Sequence, residues 1–265
     1  MELIEFGLPL AFGLFVGVLA CLAAGRRIGR RRLAAGLTEA GGGFVAVEGA
    51  IFGLMGLMIA FTFSGASSRF DDRRHLVTEE ANDIGTAWLR IELTPTEAQP
   101  KLRGLFRRYV DSRIRTYKIW PDDPKEAMAE LGRTNRLQQE IWTAAVAACR
   151  DPAAAPGGCI LLMPALNAMI DITTTRLMAT RLHPPQVVFA MLIALTLAGA
   201  LLAGHAMAAN PAWSWTHTLA MALVMAVTVY VIIDIEYPRQ GLIRVDDFDQ
   251  LMVDVRQSMG EEPVP

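Results

Sequence analysis

The chain has 265 residues, 52% of them hydrophobic and only 20% charged, with a net charge of -2 and a mean hydropathy of +0.31. That balance excludes a disordered chain and argues against an ordinary water-soluble enzyme, since a soluble domain of this size carries about a quarter of its residues as charges. Twenty-five basic residues against 27 acidic ones give no case for a nucleic-acid partner. Cys21, Cys149 and Cys159 are too few for a disulfide scaffold and lack zinc-site spacing.

Three uncharged runs follow in chain order: Phe6 to Gly25, Gly49 to Ser68, and Leu182 to Ile233, which has no carboxylate, lysine or arginine. At about 1.5 Å rise per residue, about 20 apolar residues cross a hydrocarbon layer roughly 30 Å thick. The third run is long enough for two spans. Its turn is the stretch Gly204 to Pro211, with Trp213 and Trp215 where interfacial aromatics belong. The predicted spans are therefore 4–24, 43–63, 186–204 and 213–233. The first run is not read as a cleaved signal, because it opens with Glu2 and Glu5 rather than with basic residues.

Between spans two and three the pattern becomes amphipathic. Phe70, Val77, Ala81, Ile84, Trp88 and Ile91 recur at helical spacing, so span two continues as a long helix. Thr94 to Glu97 breaks it. A second stripe of Leu102, Phe106, Tyr109, Val110, Ile114 and Tyr117 ends at Pro121 to Pro124, a third helix covers Lys125 to Cys149, and a fourth runs from Ile160 to His183. Trp88, Phe106, Tyr109, Tyr117 and Trp142 are expected in the bundle core. No segment alternates with period two, so no sheet is expected. The fold class is an all-α membrane protein: spans one and two in 1–65, a helical extramembrane bundle in 66–183, spans three and four in 184–235 and a tail in 236–265.

Orientation is contested. Arg26, Arg27, Arg30, Arg31 and Arg32 follow span one, whereas Arg69, Arg73, Arg74, Arg176, Arg181, Arg239 and Arg244 flank the other side. Five against seven does not settle the positive-inside rule. Cys149 and Cys159 flank a Pro/Gly loop and would pair only in an oxidising compartment.

Catalytic motifs and a cofactor signature are missing. His75, His183, His205 and His217 are scattered, and neither a phosphate-cradling loop nor a nucleophile elbow occurs. Span two is richer. Gly49, Gly53, Gly56 and Ala60 put small residues on one face, suited to close helix packing. Glu48 lies at or inside its rim, where a carboxylate needs water or a partner.

Two segments, Glu80-Ala81-Asn82-Asp83-Ile84-Gly85-Thr86-Ala87 and Asp234-Ile235-Glu236-Tyr237-Pro238-Arg239-Gln240-Gly241, resemble the bacterial bestrophin-like domain proteins, which are distantly similar to bestrophin anion channels. The resemblance covers nearly the whole chain. It implies a homo-oligomer in the bacterial inner membrane, five subunits in bestrophins, with span two lining a pore for small anions and the bundle in the cytoplasm. Aligning Arg69 with the bestrophin arginine brings the family's hydrophobic neck onto Gly53, Leu57 and Phe61, with Glu48, Arg69, Arg73 and Arg74 as pore-mouth charges. Asp246, Asp247 and Asp249 lie where animal bestrophins bind calcium, but three acids on a solvated tail are expected to bind none. The alternative function is a non-conducting scaffold or sensor whose bundle recruits a partner protein.

Overall fold

The computed structural model describes residues 7–36, 43–210, 212, 214–239, 242, 243 and 245–260. Glu2, Glu5, Pro211, Trp213, Gln240, Gly241 and Arg244, and the side chains of Asp246 and Asp247, lie outside the described residues. Eight α-helices occur among the described residues, and no strand: α1 Gly7–Ala34, α2 Gly43–Arg90, α3 Gln99–Ile119, α4 Pro124–Cys149, α5 Gly158–Arg181, α6 Gln186–Ala206, α7 Trp215–Glu236 and α8 Asp246–Ser258. Four stretches are long and apolar enough to cross a membrane, in α1, α2, α6 and α7. The protein is a multi-pass membrane protein.

Two compact units divide the chain, residues 1–70 with 183–243 and residues 71–182 with 244–265. In the first, α1 packs against α6 and α7 around Leu14, Val18, Leu22, Leu192, Ala222 and Val229. The contact between α1 and α6 is made backbone to backbone. A Cβ added to Gly25 would overlap the Leu201 carbonyl oxygen, and one on Gly204 would overlap that of Leu22. In lipid, where helices gain no water-expulsion energy from meeting, such close approach supplies the dispersion that holds them. Within the chain, these are the glycines that bring α1 and α6 backbone to backbone. No atom lies within 4 Å of a Cβ built on Gly49, Gly53 or Gly56.

In the second unit, buried Ile84, Trp88, Ile91, Leu102, Phe106, Tyr109, Ile141, Leu166 and Met169 form the core. The helix starts follow local chemistry: Asp123 caps α4 by accepting from the Lys125 and Glu126 amides, with Pro124 at the first position. Gly157 begins α5 from a left-handed conformation, φ 78°. Trp142 departs from expectation at 38% exposed. The tail contributes α8: its Met252, and Met259 just past its end, enter this core, while Arg256 pairs with Asp111 at 2.7 Å. Cys149 and Cys159 are disulfide-bonded, with Cα atoms 5.7 Å apart. A clasp over so short a loop stabilises the fold by roughly 2–3 kcal/mol through the unfolded chain.

Charge is buried deliberately in this core. Glu80, fully buried, accepts from Arg113 Nε at 2.5 Å and from Nη2 at 3.0 Å, and pairs also with Arg176. Arg113 and Arg176 both lie over the Tyr117 ring, at 4.9 and 3.9 Å. Burial alone would raise the Glu80 carboxyl. The charges of Arg113 and Arg176 and their hydrogen bonds outweigh it and hold the carboxyl at about 2, from an ordinary 4.5.

Two outcomes follow from these contacts. Gly25→Leu or Gly204→Leu must force α1 from α6 and should cost about 1–3 kcal/mol, seen as a lower melting temperature of the detergent-solubilised protein. Because the folded Glu80 pKa is depressed, its stabilisation is complete above about pH 4.5 and disappears as pH falls toward 2. Glu80→Gln should cost about 3–5 kcal/mol near neutrality by stranding two buried guanidinium groups, and should flatten the loss of bundle stability between pH 4.5 and 2 that wild type shows in thermal melts.

Candidate functional site

The apolar half of α2 is the least enclosed membrane helix of the chain: only 6% of its apolar window is buried, against 44% for α7. With 3.6 residues per turn, its residues sort into two faces. Phe52, Met55, Met58, Ile59, Thr62 and Ala66 are buried or half-buried. Phe52 and Met55 meet α6 at Gly199, where a Cβ would lie 3.4 Å from each. Thr62 hides its hydroxyl by donating to the Met58 carbonyl at 2.7 Å. On the opposite side, Gly49, Gly53, Gly56, Leu57, Ala60, Phe61 and Ser64 are exposed, Leu57 at 51% and Phe61 at 67%. The expected neck residues Gly53, Leu57 and Phe61 therefore share the face that α2 turns away from its own chain.

Three of the four expected mouth charges do not. Glu48 falls about half a turn away, on the side of Phe52 and Met55, with its Oε1 buried and without a hydrogen-bond partner among the described residues. Arg69 grips Glu236 at the end of α7, with Nη2 to Oε2 at 2.6 Å and Nε to Oε1 and Oε2 at 3.0 Å. Arg73 is buried and donates from Nε to the Ala179 carbonyl at 3.1 Å and from Nη2 to that of Leu182 at 3.0 Å. It thereby satisfies the end of α5, where Pro184 and Pro185 supply no amide hydrogen. Arg74 pairs with Asp71 at 3.3 Å. On the exposed side of the helix beyond Ser64 stand Ser68, Asp71, Asp72, His75 and Glu79, so that side is acidic rather than basic.

Both sequence segments that carry the family resemblance are structural clasps. Glu80 anchors the buried network above, with Ala81, Ile84 and Ala87 in the core. At the close of α7, Asp234 accepts from the Leu242 and Ile243 amides at 3.0 and 2.8 Å, which folds the chain back. Glu236, fully buried, joins Arg69 to His183, whose Nδ1 is 3.0 Å from Oε1 and whose ring stacks on Tyr237 at 4.4 Å. Helical arithmetic could have revealed the inward turn of Arg69 and Arg73, one turn apart and in line with Ala66. The acceptors Glu236 and Ala179 lie too far along the chain to be inferred from spacing. No group of three or more metal-ligating side chains occurs among the described residues, and Asp249 lies 3.4 Å from Arg176. Replacing Arg69 with Ala should cost about 1–3 kcal/mol. A double-mutant cycle with Glu236→Gln, read by thermal melting, should show coupling above about 1 kcal/mol, where additivity would deny the clasp.

Comparison with curated proteins and with solved structures finds no match. A family model described as Bestrophin-like domain matches residues 12–248, which includes the apolar face of α2, the Glu80 segment and the Asp234–Glu236 segment. The chain belongs to the Bestrophin-like domain family.

Proposed function

We propose that the protein is the subunit of a homo-oligomeric ion channel in a bacterial plasma membrane, with the exposed face of α2 lining the conduction path. The observation that carries this reading is the bare face itself: Gly53, Leu57 and Phe61 are turned from their own chain on a helix with 6% of its apolar window buried. Copies meeting around a common axis, five in bestrophins, would cover the small-residue stripe of Gly49, Gly56 and Ala60 and leave rings of Leu57 and Phe61. Such apolar rings gate by dewetting when narrow. Among the described residues no catalytic constellation competes with this reading, and family membership favours conduction over enzymatic chemistry.

Small anions are the class that the bestrophin resemblance brings. Charge on the same helix pulls against it, because Arg69 and Arg73 are engaged inside the chain while Asp71, Asp72 and Glu79 are exposed. Rings of carboxylates raise the local concentration of cations. Arg74 is the arginine of the three that remains near the exposed side.

One feature favours the scaffold alternative. A groove of about 760 Å³ between α3 and α4 is lined by Lys101, Arg108, Arg136 and Glu140; Arg108 pairs with Glu140 at 3.4 Å, and the net positive charge that remains would suit an acidic protein segment. Purified protein in a planar bilayer separates the two readings. Conduction is expected, with Phe61→Ala enlarging unitary conductance several-fold and Asp71→Asn with Asp72→Asn shifting the reversal potential in a KCl gradient toward chloride. Silence of wild type and of Phe61→Ala would leave the scaffold.

A further inference from the structure

The tally of flanking arginines changes weight once the fold is known. The positive-inside rule counts cations in short loops, because segments beyond roughly 60 residues cross largely regardless of charge. Residues 71–182, together with 244–265, form a folded unit with its own core, so Arg73, Arg74, Arg176 and Arg181 belong to a translocatable domain rather than to a loop. The structure gives two of these arginines buried tasks, Arg73 on the end of α5 and Arg176 on Glu80, while Arg74 makes a surface pair with Asp71. Arg69, on the same side, is held by Glu236.

The short-loop signal that remains is lopsided. Arg26, Arg27, Arg30, Arg31 and Arg32 occupy the last turns of α1, which ends at Ala34, and α2 starts at Gly43. Against these five stand Arg239 and Arg244 after α7. Arg27, Arg30, Arg31 and Arg32 are exposed, and Arg26 Nη2 donates to the Asn210 carbonyl at 2.7 Å. The turn between α6 and α7 therefore shares their side of the membrane. Since α2 crosses once, the bundle lies on the other side.

A second, chemically independent observation agrees. Cys149 closes α4 and Cys159 opens α5, and the two are joined, whereas Cys21 in α1 stays a thiol. Cytosolic glutathione and thioredoxin keep such pairs reduced, and disulfides persist in exported compartments.

We propose that the arginine-rich turn between α1 and α2 is cytoplasmic and that the helical bundle, with α8, stands on the opposite, oxidising face of the membrane, clasped there by the Cys149–Cys159 disulfide. This orientation is the reverse of the one that the bestrophin resemblance implies, and it holds whether or not the assembly conducts. In forming the clasp the two Sγ atoms join. Their two protons and two electrons pass to a disulfide-bearing oxidoreductase of that compartment, which leaves as a dithiol. Any partner of the basic α3–α4 groove is then an extracytoplasmic one.

Two measurements on the full-length protein in cells test it. In acid-quenched, denatured samples, a PEG-maleimide should add to one thiol, Cys21, without reduction and to all three cysteines after it. Three modified thiols without reduction would overturn the proposal. Separately, a chain with Cys21, Cys149 and Cys159 replaced by Ser carries either Ala153→Cys, exposed between α4 and α5, or Ala35→Cys, exposed just after α1. A membrane-impermeant maleimide applied to intact cells should label the first at least tenfold faster than the second, with the difference vanishing on lysis. The opposite preference would equally overturn it. Should the cysteine-free chain fail to insert, the thiol count of the wild-type protein still decides.

Discussion

From Val47 to Phe63, α2 presents valine, leucine and phenylalanine side chains that the remainder of its own chain does not reach. In water, apolar surface on this scale costs about 25 cal/mol per Å², and no isolated helix carries it. Acyl chains, another copy, or the narrow axis of a ring of copies must therefore lie against that face. Every functional reading of the molecule descends from this uncovered surface. The glycine stripe, the neck residues and the acidic run beyond Ser64 matter because they share it.

The rest of the first unit is arranged so that α2 can stay uncovered. α1, α6 and α7 cover one another, and Gly25 and Gly204 bring α1 and α6 to backbone contact. Arg69 then ties the far end of the apolar half to α7 through Glu236. A helix held by one narrow face and by its end needs little side-to-side enclosure. The matched family span, residues 12–248, takes in these holding points, Glu80, Asp234 and Glu236 among them, together with the bare face.

How much of this was legible follows the range over which each force acts. The spans and the bundle helices could be read from length and period, because burial by lipid or by a stripe is a property of contiguous sequence. α1 runs ten residues past its expected end at 24, to Ala34, since charged residues leave the lipid without breaking a helix. α8 escaped notice because Met252, Val255 and Met259 are a short stripe among acids, meaningful only once α3 lies beside it. The small-residue spacing of span two was visible, but spacing does not say which glycine meets a backbone. Gly25 and Gly29 have the same four-residue interval, and they are the ones that do. The direction of Arg69 and Arg73 was available from the helical period. Their acceptors, more than a hundred residues away, were not.

The disulfide leaves a practical opening. Because Cys149 and Cys159 occupy each other, Cys21 is the lone thiol of the described residues, half-exposed along α1. A nitroxide attached there would sit at one known depth in the bilayer without any mutation. In a symmetric ring it would also repeat in every subunit, so the set of spin-to-spin separations in a solubilised particle would reveal how many copies surround the axis.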